Sequence, residues 1–366
     1  MSANVNIVEL IGVSREISWL SWGVQYFFLI GLSYGAFFLT LPAFVFGRRQ
    51  MEKTARLALV VAISCGIAAP VALVSDLHQP GRFYNFYLHF TPTSWMSWGS
   101  FFLPAYVILL LIYAWLIYRP DLARQANVST GIVARLSQLL AFGGAESTAA
   151  IKMLGYLTIL AAVLVVTYTG SEMAVVRARP LWNSPMMPLL YLLTGVSGAA
   201  GLGLLLNRFI ADASQLVSRQ LSRVLLISQF LIILMVLLWM FTGLADKHSS
   251  ATALIRLATE YNPIAFSLFW LGLCTLLPLL LVIKKLEQAW WLTGMLSVAG
   301  TWLFRWSMFI DGQRIPKNAA GFIDYSIPSG TEGLLGIAGT AGLWLLLMLI
   351  IISFVPWAGS EHNISD

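Results

Sequence analysis

Apolar residues run in blocks along nearly the whole chain, near 20–46, 56–75, 96–118, 152–176, 186–207, 224–244, 264–283, 289–310 and 335–356. Each block holds roughly 20 residues, and at 1.5 Å per residue a helix of that length crosses the hydrocarbon core of a bilayer. The pattern predicts an all-α integral membrane protein with about nine transmembrane helices. Little sequence is left over for a soluble domain. The first 18 residues are polar and the first apolar run has full spanning length, so no cleavable signal peptide is expected.

Composition agrees with the pattern: the chain is 58% hydrophobic and 10% charged, with a mean hydropathy of +0.80. Lys and Arg are more numerous in the odd-to-even loops and their flanks, led by Arg48, Arg49, Lys53 and Arg56, than on the opposite side. That bias predicts an N-terminus outside and a C-terminus on the cytoplasmic side, which the family resemblance described below turns into a periplasmic N-terminus in a bacterial inner membrane. The net charge of +6 then reads as cytoplasmic anchoring, with membrane lipid and not nucleic acid as the partner.

Short echoes link the two halves. Tyr26 to Ser33 resembles Tyr191 to Ser197, and Asp76-Leu77-His78 at one helix exit resembles Asp246-Lys247-His248 at another. A four-helix period keeps both halves in one orientation and predicts two four-helix bundles plus one extra helix. The expected boundaries are an N-terminal periplasmic segment at 1–18, bundles at 19–176 and 177–310, and a loop, ninth helix and short tail at 311–366. Small residues such as Gly31, Gly35, Gly195 and Gly198 suit close helix packing.

Candidate chemistry gathers at the outward mouths. Asp76, His78 and Arg82 leave the second helix, Trp22 and Gln25 enter the first, and Tyr168, Glu172 and Arg177 leave the fourth. Tyr168 and Glu172 share a helix face at i, i+4. Tyr168 lies about 12 Å below the surface, where a phenol beside a carboxylate can hydrogen-bond a quinone oxygen and hand its proton outward. Arg82 facing Asp76, or Arg177 and Arg179 facing Glu172, gives the plainer reading of structural ion pairs. His78 can exchange protons near neutral pH. Arg305, about five residues inside the eighth helix, requires a buried partner, with Asp311 and Asp246 as candidates. Cys65 and Cys274 lie alone inside helices, and no histidine lies within a helix, so neither an iron–sulfur cluster nor a haem nor another metal is expected in this chain. No phosphate loop, metal-binding His pair or nucleophile elbow is present.

Asp76 through Ser97, the Tyr168-Thr169-Gly170 step and Pro180-Leu181-Trp182-Asn183-Ser184-Pro185 resemble the NrfD-like polysulfide reductase membrane subunits. The opening Ile17-Ser18-Trp19-Leu20-Ser21-Trp22-Gly23-Val24-Gln25-Tyr26 is most similar to the branch formed by the membrane subunits of tetrathionate reductases. The resemblance spans roughly residues 15–310. It implies a haem-free subunit of a periplasmic respiratory reductase that oxidises menaquinol or ubiquinol near the outer face of the first bundle. Electrons would pass to a ferredoxin-like [4Fe–4S] subunit and on to a molybdopterin catalytic subunit. The resemblance maps the family's quinone-binding tyrosine onto Tyr168 and its acid onto Asp76. Where some members carry a histidine at the start of the first helix, this chain has Leu20 and Ser21, leaving Gln25 and His78 as substitutes. Expected roles are then catalytic for Tyr168, Asp76, His78 and Glu172, and quinone-binding for Tyr168, Gln25, Trp22, Arg82 and Arg177. The rival readings are a secondary transporter and a passive membrane anchor.

Overall fold

A computed structural model describes residues 17–77, 79–143, 147–211, 213–246, 249–315 and 322–358, with backbone alone at 243–246. His78, Lys247, His248, the side chain of Asp246 and residues 1–16 lie outside the described residues.

The apolar runs become α1 (Ser21–Phe44), α2 (Glu52–Ser75), α3 (Trp95–Val128), α4 (Thr148–Ala174) and α5 (Met187–Phe209). They continue with α6 (Gln215–Asp246), α7 (Ile264–Ile283), α8 (Trp290–Trp306) and α9 (Leu334–Phe354). Among the described residues eight of these are long and apolar enough to cross a membrane, α8 being the exception. The expected span at 289–310 is nevertheless helical. Its 17-residue α-helix runs on through a π-helical turn, Ser307–Asp311, into Gly312–Arg314. Asp311 is fully buried in that turn, where it accepts from Arg314 Nη1 at 3.0 Å and Asn262 Nδ2 at 3.3 Å. The change of winding thus occurs where the helix carries charge.

Helices α1–α4 pack on one another, as do α5–α8, giving two four-helix bundles; α9 lies against α2 and α1. The bundles meet chiefly where α1 crosses α5. There the backbones touch: a Cβ built on Gly195 lies 2.6 Å from the Gly31 carbonyl oxygen, and one on Gly35 overlaps the Gly195 carbonyl. In lipid, where apolar side chains gain nothing by leaving the solvent, such close backbone contact is a main source of helix association.

The two ends of the bundle differ. At the Arg56 end, buried Asp121 accepts from Arg56 Nη1 at 2.6 Å and from Arg124. These charges satisfy one another and tie α2 to α3. Cavities open at the other end, where α2 stops at Ser75 and the backbone turns through Pro80–Arg82 and Asn85–Leu88 before α3.

Candidate functional site: a lipid-side cavity at the Asp76 end

A cavity of about 560 Å³ lies between α1, α2, α3 and α4. Gly23, Tyr26 and Phe27 form one stripe of α1 at i, i+3, i+4 and supply its back wall. Pro70, Leu73 and Val74 of α2 face Leu103, Pro104, Val107 and Ile108 of α3 across its mouth. Val74 and Ile108 are also exposed on the outer surface of these spans, so the mouth gives onto the lipid-facing side. Phe83, Phe86 and Tyr87 from the connecting turn roof the cavity. The walls are thus overwhelmingly apolar.

Four acidic or phenolic side chains, Tyr26, Asp76, Tyr168 and Glu172, converge at one end. The buried Tyr168 hydroxyl lies 3.4 Å from that of Tyr26, which donates to it. Glu172, one turn further along α4, interacts with the same Tyr168 hydroxyl and electrostatically with Asp76. Asp76 caps α2, with its carboxylate over Gly23: a Cβ built on that glycine lies 3.6 Å from Asp76 Oδ2. Gly99 of α3 lets the Tyr168 ring lie flat against the helix, because a Cβ there overlaps the ring. A second cavity of about 390 Å³ adjoins the first and shares Ser18, Trp19, Phe27, Met96 and Glu172 with it. Thr93, Ser94, Arg179 and Gln313 also line this second cavity. Glu172 is the one carboxylate common to both linings among the described residues.

The other expected residues stand elsewhere. Gln25 is buried but turned to the far side of α1, where Nε2 donates to Thr340 Oγ1 at 2.8 Å and Oε1 accepts from Trp302 Nε1 at 2.8 Å. Trp22 faces the same way and packs against Gly336 of α9. Both therefore fasten α9 to α1 and α8 instead of lining the cavity. Arg82 and Arg177 are exposed and line neither cavity. Arg179 fills the position near Glu172 expected of Arg177, with Nη1 donating to the Gln313 carbonyl at 2.6 Å. His78 lies outside the described residues. Gly99 is not singled out by the sequence, and Tyr26 enters it only as part of the first helix's opening and its echo, with no site role assigned. Tyr26 lies three residues from Gly23 on a helix that is apolar almost all round, so its facing is not readable from α1 alone.

The sequence predicts a buried acid for Arg305, and among the described residues it has none. Nε donates to the Phe27 carbonyl at 3.2 Å, and Nη2 to the Tyr191 carbonyl at 2.8 Å and the Tyr34 hydroxyl at 3.4 Å. The guanidinium lies over the Tyr191 ring, 3.9 Å from its centroid. Asp311 is occupied by Arg314 instead.

Among the described residues, eight helices long and apolar enough to cross a membrane, four of them enclosing an apolar cavity with acidic and phenolic side chains at one end, define a multi-pass membrane protein. The family model for polysulphide reductase, NrfD, matches residues 9–317. The chain is 33% identical to the C subunit of tetrathionate reductase from Salmonella typhimurium over 359 residues, 96% of each protein. It is 27% identical to the C subunit of selenate reductase from Mesobacillus selenatarsenatis over 404 residues, spanning 100% of this chain and 92% of the relative. The C polypeptide of polysulfide reductase from Wolinella succinogenes is 26% identical over 271 residues, 70% of this chain and 80% of that one. The chain belongs to the NrfD polysulphide reductase family.

Proposed function

We propose that this chain is the quinol-oxidising membrane subunit of a respiratory reductase of the tetrathionate, selenate or polysulfide type. The observation that carries the reading is the convergence of Tyr168, Glu172 and Asp76 at one end of an apolar cavity open to the lipid side. A cavity of about 560 Å³ falls in the range that holds a small aromatic ligand, and its apolar mouth suits an isoprenoid tail lying out toward the bilayer. The residues present therefore fit a quinol: one hydroxyl meets Tyr168, and the ring lies among Phe27, Leu103 and the roof formed by Phe83 and Phe86.

Oxidation of a quinol releases two electrons and two protons. Tyr168, held by Tyr26, orients the ligand's oxygen. Glu172 accepts a proton from that end of the cavity and passes it to the second cavity, whose polar lining favours water. Asp76, at the same end of the cavity, is the second acceptor. The relatives are named as C subunits of reductases, and in this reading electrons leave at the same end for an iron–sulfur subunit and through it for a molybdopterin catalytic subunit, the partners that the sequence resemblance implies. The loop charges favour a periplasmic position for this end, with protons and electrons both leaving outward. Menaquinol and ubiquinol both fit this description.

Titration of a fluorescent quinol-analogue inhibitor into the purified chain tests the reading. Wild type should quench the probe saturably, and Tyr168→Phe should bind it several-fold more weakly. Wild-type binding that is absent, or that Tyr168→Phe and Glu172→Gln both leave unchanged, refutes the assignment of the cavity.

A further inference from the structure

The cavity faces two carboxylates, Asp76 and Glu172, which oppose negative charge on anything bound between them. Behind its back wall lies a cation that no carboxylate neutralises among the described residues. Arg305 is fully buried, and its contacts are two backbone carbonyls, the Tyr34 hydroxyl and the face of Tyr191. Such dipoles solvate a guanidinium without cancelling its charge. Its Nη1 is buried with no hydrogen-bond partner among the described residues. A charge held this way in a helix is costly to keep, and its field extends into the low-dielectric surroundings.

That field is directed at the cavity by short connections. Arg305 Nε bonds the carbonyl of Phe27, whose ring lines both cavities. The Tyr191 ring beneath the guanidinium packs edge-on against Phe27 at 5.7 Å, and its hydroxyl reaches Met173 Sδ at 2.5 Å, next to Glu172. The Tyr191 and Phe27 side chains stand between the cation and the cavity. Gly31 keeps the space for the guanidinium, since a Cβ there lies 3.0 Å from Nη2.

We propose that Arg305 is a positioning residue whose charge, neutralised by no carboxylate among the described residues, lets the cavity hold its ligand in anionic form despite Asp76 and Glu172. The inference rests on the quinol reading of the cavity. It assigns the arginine to selectivity between charge states, beyond its packing between the bundles. A unit charge about 10–12 Å away at an effective dielectric near 20 changes the affinity for a monoanion by about tenfold.

The test uses the full-length protein in lipid nanodiscs and two quinol analogues of like shape, one ionised at the assay pH and one neutral. Wild type should bind the anion at least as tightly as the neutral analogue. Arg305→Gln should weaken the anion about tenfold more than the neutral compound, and Arg305→Lys, which keeps the charge, should restore the ratio. Because the readout is a ratio, a general loss of packing cancels. Should Arg305→Gln not fold, the wild-type ratio alone decides, since rejection of the anion by tenfold or more overturns the proposal. Equal weakening of both analogues in Arg305→Gln also overturns it while leaving the quinol site standing. Failure of wild type to bind either analogue overturns the quinol reading, and this inference with it.

Discussion

Replacing Gly99 with alanine perturbs the site through one methyl group. The added Cβ overlaps Cδ2, Cε2 and Cζ of the Tyr168 ring, so the ring or one of the helices must move. Helix α4 cannot back away easily, because Gly170 on its other side abuts the backbone of Pro188 so closely that a Cβ there would overlap it. The strain therefore falls on the phenol, whose hydroxyl is at 3.4 Å from Tyr26 and has little margin before that contact is lost. Overpacking of this kind costs about 1–3 kcal/mol, whereas the better helix propensity of alanine returns up to about 1 kcal/mol. The fold should thus lose at most about 2 kcal/mol, and ligand affinity should carry the clearer effect. A penalty of about 1–3 kcal/mol on the liganded geometry corresponds to a loss of about 5- to 150-fold. Analogue titration, with circular dichroism and thermal melting as controls for the fold, measures it. In a Tyr168→Ala background the methyl has no ring to meet, so the additional effect of Gly99→Ala should vanish. Unchanged affinity in Gly99→Ala, or an equal loss in both backgrounds, refutes the claim that Gly99 acts by shaping the tyrosine's seat.

Two further predictions separate scaffold from site. Gln25→Leu leaves Trp302 Nε1 and Thr340 Oγ1 without their partner, so it should lower thermal stability by about 1–3 kcal/mol and leave analogue affinity at the wild-type value. A large loss of affinity with unchanged melting would return Gln25 to the cavity. Asp121→Asn removes one of the two carboxylates paired with Arg56, leaving Glu52 at 2.9 Å, and should destabilise the protein by about 1.5–3 kcal/mol. Affinity at the opposite end should survive in the folded fraction, and an intact melting temperature would show that the pair contributes nothing.

Much of the fold was legible because a spanning helix needs only length and apolarity, and nine runs of suitable length are written into the sequence. Helix α3 extends to Val128, beyond the apolar run ending near 118, because its last turns are held by Asp121 and not by hydrophobicity. Helix α8 leaves regular α-helical winding at Ser307–Asp311, where buried Asp311 interrupts its apolar face. In the site, Tyr168 and Glu172 could be paired from their spacing on one helix. Asp76 came from its place at a helix end. What the sequence hides is which side of each helix meets which neighbour. Helix α1 is apolar on every side, so nothing local tells the Gly23–Tyr26–Phe27 stripe from the Trp22–Gln25 side. Tertiary packing gives the first to the cavity and the second to α9. Gly99 likewise looks like any small packing residue until α4 lays a tyrosine ring across it.

The central claim is that quinol binds in the cavity between α1, α2, α3 and α4. Photolabelling of the full-length protein in native-like membrane with a light-activated azidoquinone, followed by peptide mass spectrometry, tests it most directly. The account predicts adducts on the cavity walls contributed by α1, α2 and α3, near Phe27, Val74 and Leu103, that excess unlabelled quinol suppresses. Adducts concentrated on α5–α8, or labelling of the cavity that quinol does not displace, would contradict it.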